Sequence, residues 1–359
     1  MLSVGTFVGA LSGASIGDRI GRRMGLLGKN PLRAYRSSTH KYPVSCVVFT
    51  IGVILQTIAT AIPLFTFGRA LAGAGVGLLS VLIPLYQAEC SPKWIRGAIT
   101  SGYQFFLTTG LLLAAVVNNA THNRQDSGSY RIPVIIQALW ALILVIGLIF
   151  LPETPRYYVM RGQLDGAAAS LARLRRLPPD SDTIKAELAE IVANHEYEQA
   201  LGTSSWLDVV KSTGRQRRRL ITGCLVMAGS QLTGINFIFY YGTQFFKNSG
   251  IKNPFIIALT TNLVNVVSTI PGLFLVERWG RRPVLLYGAI GMTVCEFIVA
   301  IVGVTSSSQV ANQVLIAFIC FYIFFFAVSW GPVGWVVVVC LHLFLRSMSQ
   351  ARRTSSSLN

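Results

Sequence analysis

Apolar residues gather in nine runs along this chain, at roughly 1–17, 43–62, 64–86, 98–117, 131–151, 220–245, 254–276, 284–304 and 310–340. About 20 apolar residues in helical conformation cross the hydrocarbon core of a bilayer. The pattern therefore predicts nine membrane-spanning helices, one per run. The first is short, since its 17 residues reach only about 26 Å at the helical rise.

The polar gaps between the runs differ in charge. Taken alternately from the first, gaps 18–42, 87–97, 152–219 and 277–283 and the tail 341–359 hold 26 of the 31 Lys and Arg residues. The other five are Arg69, Arg124, Arg131, Lys247 and Lys252. Such a bias predicts that the rich side faces the cytoplasm. The long gap 152–219 divides the spans into five and four. Within it, "SDTIKAELAEIVANHEYEQAL" reads as a helix that Ser181 or Asp182 can cap. "GRQRRRL", just before the sixth span, predicts contact with anionic lipid headgroups or serves as a topology signal alone.

Composition supports the membrane reading. The chain is 52% hydrophobic and 13% charged, about half the charge of a soluble domain, with a mean hydropathy of +0.55. The net charge of +17 raises nucleic acid as a partner. The cations, however, fall between apolar runs, with no RNA-reading or finger motif, and none is expected. Cys46, Cys90, Cys224, Cys295, Cys320 and Cys340 form no CxxC pair and read as small apolar residues, so no disulfide or metal site is expected. No cleavable signal peptide is expected either, because no basic region precedes the first run.

Two stretches repeat each other. "SIGDRIGRRMG" (15–25) and "LVERWGRRPVL" (275–285) each carry an acid four residues before the first Arg of Gly-Arg-Arg, and the acids, Asp18 and Glu277, stand 259 positions apart. Each copy follows an apolar run and enters a short basic gap. The chain thus reads as two related halves, as many secondary transporters do. An acid beside Arg forks makes a latch at the helix ends, whereas arginines alone would only set topology.

Further motifs follow: "GRALAGAG" (68–75), "PLYQAECSPKWIRG" (84–97), "PETPRY" (152–157), "QLTGINFIFYYG" (231–242) and "GPVGW" (331–335). With the repeated motif, and in this order, they resemble the sugar porters of the major facilitator superfamily, and "GINFIFYYGTQFF" is most similar to fungal hexose transporters. The resemblance covers about 1–28 and 43–338. It implies an all-α membrane fold of two pseudo-repeated bundles, incomplete here, with the family's helices 1, 11 and 12 lacking. The division expected is 1–151 for the N-terminal bundle, with an atypical insert at 28–42, then a linker with short helices at 152–219. The C-terminal bundle follows at 220–340 and an atypical polar tail at 341–359.

A sugar offers hydroxyls and an apolar face, so its site needs neutral amides and an aromatic platform. Gln104, Gln231, Asn236 and Asn265 are amides inside spans, where a buried amide is costly unless satisfied, and helix–helix bonding would also explain them. The resemblance implies that these four and Trp335 bind substrate. It implies that Tyr240 and Tyr241 gate, with Gly331 and Pro332 weakening their helix for a bend. It implies a salt-bridge network of Asp18, Arg22, Arg23, Glu89, Arg96, Glu153, Arg156, Glu277, Arg281 and Arg282, with Arg69 supporting the first half. Ser230 stands where the family usually has a second glutamine, and Gly334 where Pro or Ala is frequent. Glu296, an acid inside an apolar run, reads either as a functional group or as part of helix packing. Asn119 begins a sequon on the expected outer side and is a candidate glycosylation site.

The resemblance implies transport of a monosaccharide, a hexose such as glucose, across the plasma membrane by alternating access, with no cofactor and no enzymatic chemistry. A proton is a candidate coupling ion. A non-transporting sugar sensor and a non-functional truncated product are the alternatives. The insert "GKNPLRAYRSSTHKYPV" and the ending "VVCLHLFLRSMSQARRTSSSLN" depart from the family. They predict a retained intron and a frame change, which the processed transcript would test.

Overall fold

The computed structural model describes residues 1–22, 44–92, 94–200, 215–248, 254–305 and 309–335. They are mostly helical, joined by short turns, with no strand among the described residues. Six helices are long and apolar enough to cross a membrane, a bent pair makes a seventh span, and two shorter apolar helices, Leu2–Gly13 and Ser45–Ile58, fall on the remaining two runs. The insert at 28–42 and the tail at 341–359 lie outside the described residues.

The chain divides into two compact units, residues 1–92 with 124–203, and residues 93–123 with 204–359. The first unit holds α1 (Leu2–Ile20), α2 (Val44–Ile58), α3 (Ile62–Cys90), α5 (Gly128–Phe150) and three short helices, α6 (Pro155–Met160), α7 (Leu164–Arg175) and α8 (Asp182–Ala200). The second holds α4 (Arg96–Thr121), α9 (Arg215–Leu232), α10 (Ile235–Asn248), α11 (Pro254–Arg278), α12 (Arg281–Thr305) and α13 (Gln309–Val328).

Packing in the first unit starts from small residues. Gly5 and Gly9 of α1 and Gly73 and Gly77 of α3 repeat at four-residue spacing, so they share one face of each helix. A methyl on any of them would overlap backbone of the facing helix, a carbonyl oxygen in each case. Inside a membrane, where lipid is as apolar as leucine, such close backbone approach is what drives helices together. On another side of α3, Leu82 meets Leu148 of α5, with Leu79, Ile83 and Leu144 around them.

In the second unit α11 packs against α4 and α13, and α13 against α12. Ile235, Met292, Cys295, Ile319, Tyr322, Ile323 and Phe326 form its main apolar cluster. The run 220–245 is not one helix: α9 ends at Leu232, α10 begins at Ile235, and the two are bent by 42°. The cause is Gly234, whose φ of +87° no continuing helix adopts. A second interruption follows α13, where Ser329 forms a turn before helical residues 330–335. Its N–H is shared between the carbonyls of Phe325 and Phe326, each at 3.2 Å. Of the two capping residues expected for α8, Ser181 precedes the helix and its carbonyl accepts from Lys185 N–H at 3.1 Å, but its buried hydroxyl makes no hydrogen bond among the described residues.

Candidate functional site

At one end of the first unit, the charged motifs draw three spans onto the short helices. Arg22, at the end of α1, has its Nε 3.1 Å from Glu89 Oε2 on α3, with both side chains nearly buried at 4% and 6% exposure. Arg156 of α6 approaches the other oxygen of Glu89 at 4.0 Å. Glu153 is buried, and its Oε1 accepts the Thr154 N–H at 3.1 Å. Thr154 in turn caps α6, its hydroxyl accepting the Tyr157 N–H at 3.3 Å.

Sequence reading missed several members of this network. Tyr86 donates its hydroxyl to the Pro152 carbonyl at 2.6 Å. Ser170 bonds the Glu153 carbonyl. Arg175 forks onto both carboxylate oxygens of Glu187 and donates to the Cys90 carbonyl at 3.0 Å, while Arg173 reaches the Phe150 carbonyl at 2.9 Å. Cys90 and Phe150 end spans, and the last carbonyls of a helix have no partner within it. Signals for this were available. Tyr86, in an apolar run, needs a hydroxyl partner, and Ala167, Ser170 and Leu171 fall at the spacing of one buried helical face.

Arg96 opens α4, half-buried, and Arg281 and Arg282 are exposed at the start of α12. Asp18 lies on α1 and Glu277 on α11, with side chains outside the described set, and Arg23 lies outside the described residues. Arg69 is exposed on α3, with its guanidinium 5.2 Å from the Phe65 ring. Asn119 is half-buried in the last turn of α4.

In the second unit the structure joins Gln104 to Trp335. The indole N–H donates to Gln104 Oε1 at 3.0 Å, and Tyr103 meets the indole edge-on at 4.8 Å. Gly331 is buried against the same amide, since a methyl there would lie 3.2 Å from Gln104 Nε2, and Pro332 is buried beside it. The break between α9 and α10 brings Gln231 and Asn236 together, Asn236 Nδ2 donating to Gln231 Oε1. In an unbroken helix, residues five apart point about 140° away from each other. Both side chains are exposed, as are Tyr240 and Tyr241, and Tyr241 stacks on Phe237 at 6.1 Å.

Asn265 is buried on α11, the helix that packs against both α4 and α13. Its Oδ1 has no hydrogen-bond partner among the described residues, and neither has Asn262 Oδ1 on the same helix nor Ser101 Oγ on α4. Ser101 precedes Gln104 by three positions and Asn262 precedes Asn265 by three, so each lies on the face of the residue that sequence reading chose. That spacing was the signal for both. Buried polar atoms left unpaired inside a protein are few, and each implies a partner.

The family model described as "Sugar (and other) transporter" matches residues 1–342. The chain is 52% identical over 373 residues to the major facilitator-type transporter ecdD of Aspergillus rugulosus, covering 100% of this chain and 66% of that one. It is 48% identical to the probable glucose transporter rco-3 of Neurospora crassa, covering 99% and 58%. It is 43% identical to the high glucose sensor RGT2 of Saccharomyces cerevisiae, covering 94% and 43%. The chain thus spans between about two fifths and two thirds of the length of these relatives. Among solved structures, the proton:xylose symporter XylE bound to 6-bromo-6-deoxy-D-glucose superposes with a TM-score of 0.78, at 24% identity, over 95% of this chain and 74% of that one.

Proposed function

The chain belongs to the sugar transporter family, with the helical membrane fold of the major facilitator superfamily, and on that premise we propose that it carries a monosaccharide, a hexose such as glucose, across the membrane. Movement follows alternating access, in which two halves rock about a site near the midplane. The observation that supports this best is the set of buried, unpartnered polar atoms on α4 and α11, namely Ser101 Oγ, Asn262 Oδ1 and Asn265 Oδ1. They are neutral donors and acceptors, as sugar hydroxyls require, and an ion would need charge or a full oxygen cage instead. In this reading Gln104, Gln231, Asn236 and Asn265 bond hydroxyls, Trp335 underlies the ring, and Tyr240 and Tyr241 close over it. No bond of the sugar is made or broken. Its site of action is the plasma membrane.

Uptake of labelled glucose by cells lacking their own hexose transporters tests the proposal. The chain at the cell surface is expected to give saturable uptake, and Gln231→Ala to raise KM about tenfold by removing one hydroxyl contact. Collapse of uptake with a protonophore would identify a proton as the coupling ion. No sugar-dependent uptake by surface-located protein would refute transport. The similarity to a glucose sensor supports a second reading, binding without flux. Sugar binding to purified protein that shows no uptake is its signature.

A further inference from the structure

The site described above leaves one membrane-embedded group unused. Glu296 lies on α12, fifteen residues beyond Arg281 and so about 22 Å along the helix from its charged end. A carboxylate at that depth is expensive unless something compensates it. What faces it is the break in the seventh apolar run. A methyl built on Gly234 would lie 2.9 Å from Glu296 Oε1, so the carboxylate, on an otherwise exposed side chain, comes up against the residue just before α10. On the other side of the break, Tyr322 of α13 donates its hydroxyl to the Thr233 carbonyl at 2.7 Å. Below it, Ile235 joins Met292, Cys295 and Tyr322 in the apolar cluster. The break is therefore held by one hydroxyl from α13 and flanked by one carboxylate from α12.

The first amides of a helix have no partner within it, and the aligned peptide dipoles leave that end positive. We propose that Glu296 is the positioning residue of α10: its carboxylate is the fixed counter-charge of that helix's N-terminus and keeps the helix turned away from α9. Two features of Gly234 agree with this. Its φ of +87° permits the turn, and its lack of a side chain lets the carboxylate come close. Because α10 carries Asn236, Tyr240 and Tyr241, its angle sets where those side chains stand. That consequence for uptake rests on the transport reading, whereas the positioning role itself does not.

Amide hydrogen exchange of the full chain in phosphatidylcholine nanodiscs tests it. Loss of the counter-charge at the helix N-terminus is expected to speed exchange of the first-turn amides in 231–242 about fivefold in Glu296→Ala. Glu296→Gln keeps the size and the amide dipole without the charge, and about threefold is expected. It also serves where the alanine variant fails to assemble. Exchange across 290–302 of α12 should stay as in the wild type. Gly234→Ala should raise exchange less in the Glu296→Ala background than alone, because the added methyl no longer meets a carboxylate. Unchanged exchange in 231–242 in both Glu296 variants would overturn the proposal, as would equal acceleration in 290–302, which marks general loosening of α12. A wild-type chain that shows no uptake but retains these shifts would refute transport and leave the positioning role standing.

Discussion

Removing the charge of Glu89 gives the most direct test of how the first unit is held together. The carboxylate is 6% exposed and faces a guanidinium, Arg22, that is 4% exposed at 3.1 Å. Glu89→Gln keeps the shape of the side chain but leaves that cation facing an amide. Breaking a buried pair by deleting one member costs about 3–5 kcal/mol, and Arg22 keeps a contact to the Gly17 carbonyl at 3.5 Å, which favours the lower part of that range. Arg156 is 4.0 Å away and 18% exposed, so water screens it better and it adds little. Arg22→Gln leaves Glu89 with Arg156 as a remaining partner, and its cost is expected at the low end, about 3 kcal/mol. With both residues changed to Gln, neither buried charge is left facing an amide in place of its counter-charge. The double variant should then cost about 2 kcal/mol less than the sum of the single ones. Denaturant midpoints of purified protein in mixed micelles read all three values. Single variants within about 0.5 kcal/mol of the wild type, in the range of an ordinary surface change, would refute the reasoning. So would strict additivity, which would mean that the two side chains do not sense each other.

Trp335→Phe keeps an aromatic platform but removes the N–H donated to Gln104 at 3.0 Å. A buried amide oxygen without a partner costs about 1–3 kcal/mol, expected as a lowered unfolding midpoint and a raised KM in the uptake assay. Gly21→Ala and Gly280→Ala form a matched pair, since both glycines have positive φ, +107° and +82°. At Gly21 the new methyl also lies 2.8 Å from Glu153 Oε2, whereas at Gly280 nothing described lies within 4 Å. Both should lower the midpoint, by about 1 kcal/mol at Gly280 and clearly more at Gly21.

Much of the fold was legible because a bilayer imposes a length and an apolar composition on whatever crosses it. Each of the nine runs contains helix, and the family that the motifs resembled is the one to which the chain belongs. What escaped was the local backbone. Hydropathy averages over a window, so Thr233-Gly234 disappeared within an apolar run although the glycine alone marks a helix end. Ser329 disappeared in the same way. The anchoring of α6–α8 was also invisible, because Arg173, Arg175 and Ser170 grip backbone carbonyls, and a carbonyl carries no residue identity to recognise.

The repeated motif shows why a site is harder to read than a fold. Its two copies match in acid, spacing and arginines, and both glycines turn the chain with positive φ. Their described surroundings nevertheless differ. Gly21 packs against Glu153 and Tyr157, and the arginine beside it is buried on Glu89, whereas Gly280 has open space and is followed by exposed Arg281 and Arg282. A sequence motif specifies the turn, since φ is a property of the residue itself. The energy of the charges depends on burial, which other segments supply: for Arg22, α3 and α6 do so. The same logic applies to Gln231 and Asn236. Five positions apart, they would diverge on a regular helix, and only the bend that Gly234 makes brings their amides into contact. The amides suited to sugar hydroxyls are therefore written in the chain, but their convergence depends on the turns between them, and Gly234 decides which amides meet.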